Sequence, residues 1–396
     1  VSAGPTDFLK QELDELKSSG GYRPLFELQS AQQPLSIIRG RLVVNLSSNN
    51  YLGLATHPRM IRAAHEAIDR FGVGTAAVRI IIGTMTIHEQ LERRLAEFKG
   101  TPAALTFQSG FATNVALCQS LMSDERDLLI SDEFNHASIV DGARLAKASR
   151  QVYRHADVGH LDEILTEHGR GRRRILIVTD GVFSVDGDIA PLPQIMEVAE
   201  RFGAMVMVDD AHATGVLGKN GAGTPSHFGL SDRVPIQIGT LSKAVAAVGG
   251  YVAGSEALRD FLIHRARPFM FSSSHPPSVA ATCLEAINIM CEEPQLHRRL
   301  WENARYFKSA LGELGFDTGR SETPITPVMV RDTAKTTRFS DRLFEEGVFV
   351  QGIGFPIVAR GQERLRTIVT AAHTRESLDQ ALAAFKKVGR ELGVIR

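Results

Sequence analysis

The stretch Ala204-Met205-Val206-Met207-Val208-Asp209-Asp210-Ala211-His212 decides the fold. Five apolar residues run together without polar alternation, the pattern of a strand covered on both faces, as in a parallel sheet lying between helices. The run breaks on two carboxylates and a histidine, so polar chemistry sits at the strand's carboxyl end. The same pattern recurs on either side. Ala103–Phe107 leads into Gln108-Ser109-Gly110-Phe111, 175–178 into Thr179-Asp180-Gly181-Val182-Phe183-Ser184, and 236–238 into Gly239-Thr240-Leu241-Ser242-Lys243. Further short apolar runs lie at 127–130 and 251–253, and longer amphipathic segments separate them all. The alternation predicts an α/β fold with a large, mainly parallel sheet and crossover helices. In such sheets ligands bind at the carboxyl ends of the strands, which places a site where these polar groups converge.

Outside the sheet, Thr86-Ile87-His88-Glu89 reads as a capping box opening a helix whose face carries Leu91, Leu95 and Phe98. Another helix is expected from Pro58 to about Arg70, ended by Gly72. From about 290 the pattern shifts to a long helix over 295–314, strands near 325–330, 348–351 and 366–370, and a final helix over 375–392 capped by Thr374. The expected organisation is an N-terminal arm with a small-domain segment over 1–55, a large α/β domain over 56–290 and a smaller α+β domain over 291–396. Gly72-Val73-Gly74-Thr75-Ala76-Ala77 fits a loose dinucleotide pattern, but it follows a helix rather than a strand and reads as a turn.

The 396 residues allow a large core, and 45 basic residues against 45 acidic ones argue against nonspecific nucleic-acid binding. Three scattered cysteines form neither a disulfide framework nor a zinc spacing, which fits a reducing compartment. No apolar stretch approaches the roughly 20 residues of a spanning helix. The first 17 residues are polar and helix-like, without a signal-peptide core. The expectation is a cytoplasmic protein that binds no membrane.

The residues at the strand ends suit one cofactor, pyridoxal 5′-phosphate (PLP). Lys243, in a small-residue loop, is placed to form a Schiff base with an aldehyde. Asp209 is placed to keep a pyridine nitrogen protonated, so that the ring accepts electrons. His212 falls near the ring's phenolate oxygen. Gly110 and Phe111 open a helix whose first N–H groups suit a phosphate, with Thr240 and Ser242 adding hydroxyls. His136, in Asn135-His136-Ala137-Ser138, can stack on the ring. Arg366 offers the planar fork that binds a carboxylate. Asp209 and His212 taken as a metal pair lack a third ligand at fixed spacing, so no metal site is expected.

Several segments in fixed order carry a resemblance. Ser48-Asn49-Asn50-Tyr51-Leu52-Gly53-Leu54, Asn135-His136-Ala137-Ser138, the segment 179–184, Val208–His212, Gly239–Lys243 and Thr370-Ala371-Ala372-His373 resemble the α-oxoamine synthases, PLP enzymes of the aspartate-aminotransferase-like fold (fold type I). The resemblance covers nearly the whole chain. It implies that Lys243 anchors the cofactor and serves as base, Asp209 pairs with the ring nitrogen, His212 and Ser184 reach the phenolate side, His136 stacks, and Gly110, Phe111 and Thr240 hold the phosphate. Asn49, Arg366 and Arg23 would meet the substrate. Ser272 and Ser273 would reach across a homodimer interface to the partner's phosphate.

The implied reaction joins a small amino acid, glycine or alanine, to an acyl-CoA and releases CoA, with CO2 lost when the product is an aminoketone. Ala76-Ala77-Val78-Arg79 with Gly83-Thr84, and 141–147, lean towards glycine C-acetyltransferases. The segments 186–192 and 274–277 lean towards 8-amino-7-oxononanoate synthases. The mixture favours the glycine C-acetyltransferase activity first, with a broad acyl range, and the oxononanoate synthase of biotin synthesis second. A PLP aminotransferase and a non-catalytic partner subunit are the rivals.

Overall fold

The computed structural model describes residues 4–18, 22, 24–355 and 357–396. Two strands, β1 (Leu35–Ile38) and β2 (Arg41–Asn45), form a hairpin that turns at Arg39 and Gly40, both with positive φ. The central sheet follows: β3 (Ala103–Phe107), β4 (Leu128–Asp132), β5 (Ser149–Tyr153), β6 (Ile175–Asp180), β7 (Met205–Asp209), β8 (Ile236–Thr240) and β9 (Gly250–Gly254). Their spatial order is β3-β9-β8-β7-β6-β4-β5. β4 to β8 pair in parallel, whereas β9 runs antiparallel to both its neighbours, so β3 points the same way as β8. The carboxyl ends of β3, β4, β6, β7 and β8 therefore share one edge.

The sequence reading omitted β5. It is Ser-Arg-Gln-Val-Tyr at the sheet's edge, where exposure removes the demand for a continuous apolar run.

The remaining strands are β10 (Ile325–Met329), β11 (Val348–Phe349), β12 (Gln351–Ile353) and β13 (Arg364–Ile368). β10, β13 and β12 form a small antiparallel sheet, while β11 pairs in parallel with β2 and so ties the start of the chain to its end. Phe307, Phe339, Leu343, Leu365 and Phe385 fill the core beneath. β13 begins two residues earlier than expected. Arg364 looks like a loop residue in sequence, yet it is buried against Asp186.

The helix Pro58–Phe71 is capped by His57, which accepts from Arg59 N, and ends at Gly72. The helix Thr86–Lys99 buries Leu91, Leu95 and Phe98 as expected, but Thr86 is its first residue rather than its cap. Met85 holds the cap position, and its N–H donates to His88 Nδ1 at 3.0 Å. Thr374 caps Arg375–Glu391 by accepting from Ser377 N. The 72–77 segment leads from a helix into a π-helical turn, Arg79–Gly83, with no strand before it. No helix among the described residues is long and apolar enough to cross a membrane.

Candidate active site

A cavity of about 280 Å³ opens at the shared strand edge, and its wall contains Gly110, Phe111, His136, Ser184, Asp209, His212, Thr240, Ser242 and Lys243. Residues from five loops meet there because five strands end on the same side. Asn49, Arg366, Ser272 and Ser273 lie outside that wall, and Arg23 lies outside the described residues.

Asp209 is buried at the end of β7. Asn114 Nδ2 donates to its Oδ2 at 2.8 Å and Ala211 N donates to its Oδ1 at 2.9 Å, which fixes the carboxylate's orientation. Lys243 is half-buried because it faces the cavity, but protein surrounds that cavity on most sides. Desolvation outweighs the pull of Asp209 and Asp180 and, with repulsion from Arg366, brings the amine down to about 8. Asp180, at the end of β6, is pushed well up by burial and by the charge on Asp209, while its Oδ2 accepts from His136 N at 3.0 Å.

The tautomer of His212 follows from its neighbours. Burial, with the positive charges of Lys243 and Arg366, pushes its proton affinity well down, so the ring is neutral. Tyr51 OH lies 2.8 Å from His212 Nδ1. Burial pushes the Tyr51 phenol up, and its oxygen also meets the Arg366 guanidinium, which can only donate. The Tyr51 proton therefore points at Nδ1, and His212 keeps its own proton on Nε2.

At the opposite side, Ser109 caps the helix Gly110–Leu121 by accepting from Ala112 N at 3.0 Å. The first N–H groups of a helix have no acceptor within it and favour an anion. A Cβ on Gly110 would stand 3.2 Å from Thr240 Cβ and fill the gap between the helix start and that hydroxyl. Thr240 Oγ1 and Ser242 Oγ lie 2.7 Å apart. The helix start, paired hydroxyls, fixed carboxylate and lysine fit a phosphorylated pyridine aldehyde by size and by donor set.

A family model, Aminotransferase class I and II, matches residues 41–385. The 8-amino-7-oxononanoate synthase of Symbiobacterium thermophilum is 63% identical over 98% of this chain and 99% of its own. The chain belongs to the α-oxoamine synthase family. A second relative, 8-amino-7-oxononanoate synthase 1 of Bacillus subtilis, is 53% identical over the same 98% of this chain and 99% of its own. Among solved structures, serine palmitoyltransferase from S. paucimobilis with a bound PLP–myriocin aldimine superposes with a TM-score of 0.93 at 33% identity, covering 98% of each chain. An 8-amino-7-oxononanoate synthase from Francisella tularensis superposes at 0.75 with 26% identity, covering 88% of this chain and 98% of the other.

These family relatives reverse the order of the two expected branches. Two residues of the segments that leaned towards glycine C-acetyltransferases make contacts within the fold. Arg79 is buried in ion-pair contact with Glu92, and Asp141 pairs with Arg144 on a helix surface. Neither lines the cavity. Tyr51, Asn114, Ser138 and Asp180 were not singled out, although each lies in or beside a segment that was. Their signal is three-dimensional: Asn114 Nδ2 bridges Ser138 Oγ and Asp209 Oδ2, which sequence spacing does not reveal.

Proposed function

We propose that this chain is an 8-amino-7-oxononanoate synthase, joining alanine to a pimeloyl thioester for biotin synthesis. The chain is a PLP-dependent acyltransferase that condenses an amino acid with an acyl thioester. The observation that carries the finer reading is full-length identity to synthases of that name, combined with Lys243 and Asp209 facing one cavity.

When bound, PLP supplies an electron-accepting ring that stabilises charge at the substrate's α-carbon. Asp209 holds a proton at the ring nitrogen, and Asn114 and Ala211 keep it aimed. His212, with its proton on Nε2, and Ser184 would hold the phenolate side of the ring. Gly110, Phe111, Thr240 and Ser242 hold the phosphate. His136 stands at the mouth to cover one ring face. Lys243 would anchor the cofactor and, with its amine lowered to about 8, would serve as the base for the α-proton.

Arg366 binds the amino-acid carboxylate, helped by Asn49, whose Nδ2 can donate to it. A second cavity, about 430 Å³, has Arg366 in its wall with Leu28, Ile38, Phe349 and Ile353, apolar surface suited to an acyl chain. The working unit is a homodimer. Ile81 and Ile82 are 77% and 78% exposed and Phe271 64%, an apolar surface that marks an interaction face. Ser272 and Ser273 follow Phe271, placed to reach the partner's phosphate.

CoA release measured for alanine and glycine, each with pimeloyl- and acetyl-CoA, tests the reading. Alanine with pimeloyl-CoA is expected to give the highest kcat/KM. Preference for glycine with acetyl-CoA overturns it in favour of the C-acetyltransferase, and comparable rates with all pairs point to a permissive enzyme.

A further inference from the structure

His155 follows β5, outside the cavity wall, and its ring joins two loops that reach the site. Its Nδ1 lies 3.0 Å from Asp132 Oδ1 and its Nε2 2.8 Å from Asp188 Oδ2. Asp132 ends β4, and the chain reaches His136 four residues later. Asp188 lies in the loop after β6, four residues beyond Ser184.

Both anchor points are themselves fixed. Asp132 also accepts from Phe134 N at 2.8 Å and Ala156 N at 2.9 Å. Phe183 N donates to Asp188 O at 3.0 Å. Phe134 stacks on the imidazole at 4.4 Å and 18°, and Phe183 meets its edge at 4.4 Å. Each flanking aromatic comes from one of the two loops, so the ring is held between them from both sides. The β6 loop has a second fastening on its other flank, the ion pair of Asp186 with Arg364 of β13.

We propose that His155 is a positioning residue for catalysis, locking the loop that carries His136 to the loop that carries Ser184. It touches neither substrate nor cofactor, and it acts by setting the spacing between the group over the ring face and the group at the phenolate side. The proposal rests on the roles given above to His136 and Ser184. Asp132 is 1% and Asp188 14% exposed at the side chain, so the two carboxylates need a partner that donates to both at once. The two ring nitrogens of His155 reach one carboxylate each. Burial opposes the charge on His155, but the two carboxylates outweigh it and raise the imidazole to about 10. Glu133 Oε1 accepts from His155 N, and Tyr153, also beside Asp132, is held neutral by burial.

The test is His155→Gln, which keeps a polar side chain but cannot donate to both carboxylates from opposite ends. The holoenzyme and apoprotein are both prepared, with His136→Ala alongside. The expected result is an unchanged far-UV spectrum, a weakened visible circular-dichroism band from bound PLP, and kcat down by about 10- to 100-fold with the amino-acid KM nearly constant. PLP titrated into the apoprotein should bind more weakly by about tenfold, a readout independent of turnover. A folded His155→Gln protein with visible band, PLP affinity and kcat all within about twofold of wild type overturns the proposal. If His136→Ala also leaves the band and kcat unchanged, it is the assigned site roles that fail. Should His155→Gln not fold, Asp188→Asn decides. That variant weakens one of the two arms and should shift the band and kcat in the same direction, and no shift overturns the proposal.

Discussion

Lys99 and Lys243 occupy neighbouring regions behind and in front of the end of β7, and their proton affinities diverge. Lys99 has no exposed side-chain surface; its Nζ donates to Asp210 Oδ2 at 2.6 Å and to Ala222 O at 2.5 Å. Burial alone would strip its proton, but the adjoining carboxylate outweighs that and raises its affinity. Lys243 faces the cavity, and no carboxylate lies within ion-pair distance of it among the described residues. Asp209 and Asp180 attract it from further away, so desolvation wins and the amine falls to about 8. Consecutive aspartates, Asp209 and Asp210, thus serve opposite regions: one faces the cavity and the other neutralises a buried cation. A carboxylate in contact makes a lysine structural, and one held at a distance leaves it reactive.

Breaking each region should give a different kind of failure. Lys243→Ala should lower kcat on the order of 10⁴-fold or more, equivalent to about 5.5 kcal/mol, in a CoA-release assay, while the protein stays folded. Borohydride treatment of the PLP-loaded variant should leave no cofactor mass on residue 243. Lys99→Met should instead cost about 3–5 kcal/mol of stability, because Asp210 is left as a buried charge without its partner. Urea unfolding of the apoprotein reads that loss, and a wild-type midpoint would erase the distinction between the two lysines.

A finer test uses pH. The folded amine of Lys243 at about 8 lies below its ordinary value near 10.5, so the unfolded chain binds the proton more tightly. Apoprotein stability should therefore rise with pH between about 8 and 10.5. Lys243→Met should raise the urea midpoint at pH 7 and lose that advantage as pH climbs through this window. For Lys99 the shift runs upward, so its contribution is present below about 10.5 and lost only above it.

The smallest expected effect is at Asp180. Burial and the charge on Asp209 push its carboxyl well up and favour the neutral form, which Asp180→Asn mimics while still able to accept from His136 N. A kcat within about threefold of wild type is expected. A drop of several hundredfold would mean that Asp180, like Asp209, works as a charge.

Much of the site was legible because strand ends carry their chemistry in contiguous segments. The segment 204–212 gave a buried strand and the residues Asp209 and His212 together, and 236–243 did the same for Thr240 and Lys243. β5 escaped because an edge strand has one covered face and no apolar run. β13 was misplaced because Arg364 finds Asp186 only through the fold. Asn114, Tyr51 and His155 carry no local signal, since their partners lie 95, 161 and 23 to 33 positions away.

The sequence by itself determined the α/β alternation, the polar groups at the strand ends, and a carboxylate and a lysine that each close such a strand and together imply PLP, because each of these signals is written within a dozen residues of chain. The folded chain alone decided which of the two lysines has its proton affinity lowered and which ring nitrogen of His212 keeps its hydrogen. Those outcomes depend on distances between charges and on solvent exclusion, and both arise only when remote segments pack together.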